Sequence, residues 1–218
     1  MAKVFLAAGH GGKDPGAVGN GLHEADLNLA IALACRDELE RHGVIVGMSR
    51  VTDENDPVSD EAKECNAFKP DLAVEIHCNA GGGDGAEAFY RANGGGWELA
   101  KNILAEIVKI GQNSRGAKTK TNAQGKDSYY FLRNTDCDDV ALVECAFIDN
   151  AKDIQIIDTP GEQKAMGIAI AKGVLATLGI KYKEEKELVS VQIGTFERQQ
   201  AEKLLEFLAS IGLNGKIV

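Results

Sequence analysis

Apolar and polar positions alternate along this chain in blocks of two kinds. Val4-Phe5-Leu6-Ala7-Ala8 is a continuous apolar run and reads as a buried strand. Leu27, Ala30, Ile31, Ala34 and Leu39 then recur at helical spacing up to Arg41, and Gly43 stops that helix. Residues 44–48 form a second strand, residues 52–57 a polar loop, and Val58–Phe68 a helix that Lys69-Pro70 ends. Residues 72–77 are a third strand and Ala86–Tyr90 a short fourth. Residues 97–110 read as an amphipathic helix with Leu99, Ile103, Leu104, Ile107 and Ile110 on one side. Residues 115–126 are polar, without a pattern, and read as a loop. Residues 129–132 and 140–143 read as two further strands, and residues 161–178 as a helix with Met166, Ile170, Val174 and Leu178 inward.

Strands that alternate with helices predict an α/β fold: a mostly parallel twisted sheet of about six strands with helices on both faces. Right-handed crossovers put the strand C-termini along one edge. After Gly179 the composition changes. Residues 180–187 read as a charged linker. Residues 188–196 alternate like a strand, residues 198–211 form an amphipathic helix, and residues 215–218 resemble a second strand. This predicts a small C-terminal β-α-β appendage over residues 188–218.

Composition adds boundaries to this picture. At 218 residues and 44% apolar, the chain can build a full core plus an appendage. Its net charge of -9 argues against a nucleic-acid partner. The appendage has equal numbers of acidic and basic residues, so the excess acid belongs to the main unit. Five cysteines without metal-finger spacing read as reduced, mostly buried thiols. No apolar run is long enough to span a membrane, and Met1-Ala2-Lys3 leads into a core strand rather than a signal peptide. The expectation is synthesis in the cytoplasm, with no membrane partner.

The candidate chemistry lies at strand ends. His10 follows the first strand among glycines, His77 ends the third, and Glu24 opens the first helix. Two histidines and a carboxylate are a zinc-hydrolase ligand set that leaves a position for water. Glu144 ends the apolar run 140–143, and a buried carboxylate there calls for a nearby metal or ligand. Each residue has a plainer reading alone: a loop histidine, a first-turn helix acid. His23 and His42 are read that way, His42 as a helix C-terminal histidine that suits the dipole. Strand alternation turns Cys78 and Cys145 away from their neighbours, as buried and inert thiols. The glycine-rich loop lacks the order of a phosphate loop. The glycines around His10 are expected to keep the space beside the site clear for a substrate to approach.

Four blocks together carry a resemblance. Ala8-Gly9-His10-Gly11-Gly12-x-Asp14-x-Gly16-Ala17, Glu24-x-x-x-Asn28-Leu29, Ile76-His77-x-Asn79-Ala80 and Leu142-Val143-Glu144-x-Ala146-Phe147-x-x-Asn150 resemble the zinc-dependent N-acetylmuramoyl-L-alanine amidases of the amidase-3 type. The resemblance runs in order over about residues 3–178, within a catalytic domain placed at residues 1–179. It implies one Zn2+ held by His10, Glu24 and His77, with Glu144 as the catalytic glutamate. It also implies peptidoglycan as substrate, cut at the amide between N-acetylmuramic acid and L-alanine of the stem peptide. Asn79 matches the family's asparagine and is assigned to substrate positioning. Arg133 matches a Leu-Arg element and is assigned to a stem-peptide carboxylate. The insertion that blocks the site in division-associated members is missing after His77, which implies a site open without an activator. The appendage resembles the first half of a sporulation-related peptidoglycan-binding repeat, either wall-binding or pairing two chains into a homo-oligomer.

Several functions fit these residues. One is a wall-lytic amidase: a bacteriophage endolysin released through a holin, or a mother-cell-lysis autolysin of a spore-former. A zinc carboxypeptidase acting on the stem peptide would need an arginine pair, for which Arg133 and Arg115 are the candidates. A non-catalytic cell-wall-binding zinc protein would have Glu144 closing the metal's fourth position.

Overall fold

The structure, a computed structural model, describes residues 1–184 and 197–210. The chain divides into two units, Met1–Lys183 and Glu184–Val218. The first holds a six-stranded sheet built from β1 (Lys3–Ala8), β4 (Ile45–Met48), β5 (Leu72–Asn79), β6 (Ala86–Tyr90), β7 (Ser114–Lys118) and β8 (Asp139–Phe147). Strands β2 (Val18–Gly19) and β3 (Leu22–His23) form a separate small antiparallel pair. The sheet order is β4-β1-β5-β8-β6-β7. The first four are mutually parallel. β6 runs antiparallel to β8, and β7 parallel to β6. The sheet is therefore mostly parallel, as expected, with one reversal at the β8–β6 boundary.

Five α-helices belong to this unit: α1 (Glu24–Arg41), α2 (Val58–Phe68), α3 (Trp97–Lys109), α4 (Tyr130–Asn134) and α5 (Pro160–Thr177). Alternation along the strands sorts the core into two layers. Leu6, Val74, Ile76, Val143 and Cys145 pack with Ile31, Ile103 and Ile170 from α1, α3 and α5. Phe5, Ala7, Ala73, Val140 and Leu142 pack with Ala62 and Cys65 of α2 and Phe131 and Leu132 of α4. Helices thus cover both faces.

Two elements differ from the sequence reading. Residues 129–132 lie not in a strand but at the start of α4, with Tyr129 as the residue before its first turn. The run Tyr-Tyr-Phe-Leu has strand-like composition, but four residues are too few for a period to show. Burial of Phe131 and Leu132 against α2 decides it, and the turn is closed by Thr135 Oγ1 donating to Phe131 O at 3.0 Å. The sixth strand is instead β7, within the stretch that reads as a patternless loop from residue 115. It is polar because it is the edge strand, with one neighbour and little to bury. Helix α5 starts at Pro160, one residue early, on a capping box between Thr159 and Glu162.

In the second unit, α6 (Arg198–Ser210) is the predicted amphipathic helix. The predicted strands at 188–196 and 215–218 lie outside the described residues. All five cysteines are buried and free. No helix among the described residues is long and apolar enough to cross a membrane.

Candidate active site

The C-terminal ends of β1, β5 and β8 lie side by side at the middle of the sheet, where an open α/β sheet places its site. His10 sits just past β1 with φ 66°, a left-handed conformation that turns its ring back toward the sheet. His77 lies in β5 and pairs in register with Glu144 of β8. Glu24 is the first residue of α1, where the helix dipole favours a carboxylate. The β2–β3 pair precedes it, and Ala17 N donates to Glu24 Oε2 at 2.8 Å.

These residues meet. His77 Nδ1 lies 2.8 Å from Glu24 Oε1, and His10 Nε2 lies 3.3 Å from Glu24 Oε2. One ligand atom from each of His10, Glu24 and His77 falls within 4.8 Å of the other two. Burial opposes the charge on Glu24, but the hydrogen bonds to His10 and His77 hold its carboxyl well below the usual range. Burial likewise opposes charge on His77, yet Glu24 and Glu75 raise its pKa well above the ordinary value. The Glu24 hydrogen bond raises that of His10 against its partial burial. Such a set, anionic at its centre and crowded with ring nitrogens, has the composition that a divalent cation neutralises.

Glu144 stands beside this group, 9% exposed, with its Oε2 lacking a hydrogen-bond partner among the described residues. Burial pushes its pKa up to about 7, against the pull of His77 and with the push of Glu24 and Glu87. A carboxyl poised there can take up and release a proton near neutrality. A cavity of about 470 Å3 opens over the site, with His10, His77, Glu144, Glu75, Glu61 and Tyr129 in its wall.

The glycines near His10 serve the site differently from the expectation. The space beside them is filled by protein, not left open. A Cβ on Gly9 would fall 2.2 Å from His77 Cε1, and one on Gly16 would fall 2.7 Å from both Glu24 Oε2 and His10 Cδ2. These glycines let the three candidate ligands close up around one point.

The structure gives contacts to residues for which the sequence reading assigned no role. Asp14 Oδ2 lies 2.8 Å from His10 Nδ1. Asn28 Nδ2 donates to Gly9 O at 3.0 Å. Arg50, 2% exposed, donates to Ala8 O and Ala25 O at 2.8 and 2.7 Å, and to Gly9 O and Thr52 O at 3.3 Å. It ties the end of β1 to the first turn of α1. Glu75, 3% exposed, and Glu61, 1% exposed, are buried acids in the cavity wall. Glu75 had the same signal as Glu144, a carboxylate inside an apolar strand. Arg50 had only a position after a strand, which says nothing about the carbonyls it meets.

Of the two residues assigned to substrate, Asn79 ends β5 and donates from Nδ2 to Glu87 Oε1 at 3.1 Å. Glu87 is also paired with Arg115 and Lys118. Arg133 lies on α4, does not line the cavity, and donates from Nη1 to Asp127 O and Ser128 O. It holds the loop that brings Ser128 and Tyr129 to the cavity.

A parallel-sheet hydrolase site with a two-histidine, one-carboxylate cluster and a neutralisable glutamate beside it is what fold and geometry define. The family model described as N-acetylmuramoyl-L-alanine amidase matches residues 4–176, and the chain belongs to that family. It is 33% identical over 202 residues to the sporulation-specific N-acetylmuramoyl-L-alanine amidase of Bacillus subtilis, covering 90% of this chain and 76% of that one. It is also 33% identical over 190 residues to the endolysin of Bacillus phage SPP1, covering 83% and 67%. Among solved structures it is similar to Cwp6 from Clostridium difficile, with TM-score 0.78 and 38% identity over 81% of this chain, which spans 29% of that one. The catalytic domain of CwlV, an N-acetylmuramoyl-L-alanine amidase from Bacillus (Paenibacillus) polymyxa, gives TM-score 0.75 and 26% identity, covering 83% of this chain and all of that domain. The chain is a peptidoglycan amidase.

Proposed function

We propose that the amidase reaction runs on one Zn2+ held by His10, Glu24 and His77, with Glu144 as the proton-transfer residue. The observation that carries this is the convergence of three ligand atoms within 4.8 Å beside a carboxyl with an unpartnered oxygen. The donor set suits zinc, and three protein ligands leave a position open. When bound there, zinc supplies a Lewis acid that polarises the lactyl carbonyl and lowers the pKa of water from about 15.7 toward about 7. The residues of the chain do the rest. Glu144 accepts a proton at Oε2 as the attacking water adds to the carbonyl carbon. It then delivers that proton to the alanine nitrogen, which leaves as a neutral amine when the C–N bond breaks. Burial, which raises the Glu144 carboxyl above the ordinary carboxylate range, favours its taking up the proton. Asn79, held by Glu87, is assigned to orient the substrate.

The test is release of new N-terminal alanine from purified peptidoglycan, with and without a chelator. Release should stop on chelation, return with zinc, and be lost in Glu144→Gln while zinc affinity is kept. Release that survives chelation, or survives Glu144→Gln, overturns the assignment.

For the biological setting, we infer lysis of a host wall at the end of a phage cycle, with exit through a holin. The short connection from Asn79 to Ala86 leaves the site without a blocking helix in that connection, in keeping with an enzyme that needs no activator. The similarity to a sporulation-specific amidase supports a second reading, mother-cell lysis in a spore-former. Co-expression with a holin in growing cells separates the two: lysis that requires the holin would support the first, and lysis without it the second. The segment 188–218 is proposed to bind wall or to pair two chains, which sedimentation of the full chain against residues 1–183 separates.

A further inference from the structure

Glu75 and His77 are two residues apart on β5, so both point to the α2 side of the sheet. The two nitrogens of the His77 ring face different carboxylates. Nδ1 lies 2.8 Å from Glu24 Oε1, inside the ligand cluster, and Nε2 lies 3.4 Å from Glu75 Oε1, behind it. Glu61 of α2 and Glu75 both stand in the cavity wall as buried acids. Both are buried, and Oε2 of each lacks an N–H or hydroxyl donor among the described residues. Glu75 Oε1 thus faces the imidazole on one side, with Glu61 of α2 on the other. His10 has the same arrangement in an exposed form, with Nδ1 on Asp14 and Nε2 toward Glu24.

We propose that Glu75 is a positioning residue for His77: it accepts the Nε2 proton of the ring, so that Nδ1 is committed to the metal ion, and Glu61 holds Glu75 in place from α2. This rests on the reading of His10, Glu24 and His77 as the metal centre. Outer carboxylates of this kind fix the tautomer and orientation of a ligating imidazole, and losing one costs about 10–100-fold in metal affinity.

The experiment is competition for Zn2+ against a chromophoric chelator with the full chain, read together with the 15N spectrum of the His77 imidazole. Glu75→Leu removes the acceptor and should lower zinc affinity by about 10–100-fold. Glu75→Gln keeps an acceptor oxygen and should recover most of that loss, which a role in packing alone would not predict. In the zinc-loaded wild type, Nε2 of His77 should carry the proton. Wild-type affinity in Glu75→Leu, or a proton on Nδ1 in the loaded protein, overturns the proposal. If Glu75→Leu does not fold, Glu75→Gln and the spectrum still decide it. Failure of the metal centre itself looks different: the wild type would bind no zinc, or His10→Ala would bind as well as wild type.

Discussion

Replacing Gly9 by alanine adds one methyl group and should disable the site while sparing the fold. The backbone at Gly9 is not in the left-handed region, so alanine fits the local conformation. The obstacle is His77, whose Cε1 and Nε2 would lie 2.2 and 2.3 Å from the new Cβ. The main chain at Gly9 cannot retreat easily. Its N–H donates to Ile76 O at 3.1 Å, and its carbonyl accepts from Asn28 and Arg50. The ring must give way instead. Reaching ordinary contact needs a shift of roughly 1 Å, set against a tolerance of about 0.2 Å for a metal–ligand distance. A displacement of that size in a catalytic group costs on the order of 100-fold in rate, or about 2.7 kcal/mol of transition-state stabilisation. The assay is kcat/KM for alanine release from peptidoglycan with zinc in excess, beside zinc affinity and a circular dichroism melt. The expected result is a loss of about 100-fold in kcat/KM, weaker zinc binding and a near-native spectrum. Gly161→Ala is the control: its nearest neighbour is Thr159 Oγ1 at 3.9 Å, in the first turn of α5, and alanine there should not lower activity. Wild-type zinc affinity and turnover in Gly9→Ala would refute the reasoning, because they would mean that His77 need not stand where it does.

Arg50→Met should leave carbonyls of residues 8, 9, 25 and 52 without their buried donor and cost about 3 kcal/mol, seen as a melting temperature lower by roughly 6–12 °C. An unchanged melt would show that water replaces the guanidinium. Glu61→Gln tests the raised carboxyl. A carboxyl whose pKa is higher in the folded than in the unfolded protein stabilises the fold below the ordinary carboxylate range and loses that contribution as pH rises toward its folded value. In metal-free protein the wild type should therefore lose stability relative to Glu61→Gln between about pH 5 and about pH 8, by at most about 1.4 kcal/mol per pH unit. Parallel denaturation midpoints across that range would count against a proton on Glu61.

Much of the site was legible because a parallel sheet converts a local feature into a spatial one. His10 and His77 each follow an apolar run, and Glu144 ends another. Strands with the same direction must present such ends at the same edge. Glu24 was legible from its place at the head of an amphipathic helix. Asp14 was quoted only as part of a motif, and Arg50, Glu61 and Glu75 were not read, since no periodicity marks a carbonyl that needs a donor or an imidazole that needs a carboxylate.

The amino-acid sequence by itself determined the α/β class, the principal strands and helices, and the residue types at the strand ends. Those depend on neighbours within a turn or a pleat, where periodicity of apolar positions is strong. Tertiary structure decided which short segments became α4 and which became β7, because burial against α2 and an edge position overrode their weak local patterns. It also decided the pairing of His77 with Glu144 across two strands and the contact of His77 with Glu24, 53 residues away. Register and close packing, as at Gly9 against the His77 ring, arise only when distant segments share one sheet, and a one-residue slip would turn His77 and Glu144 to the opposite face.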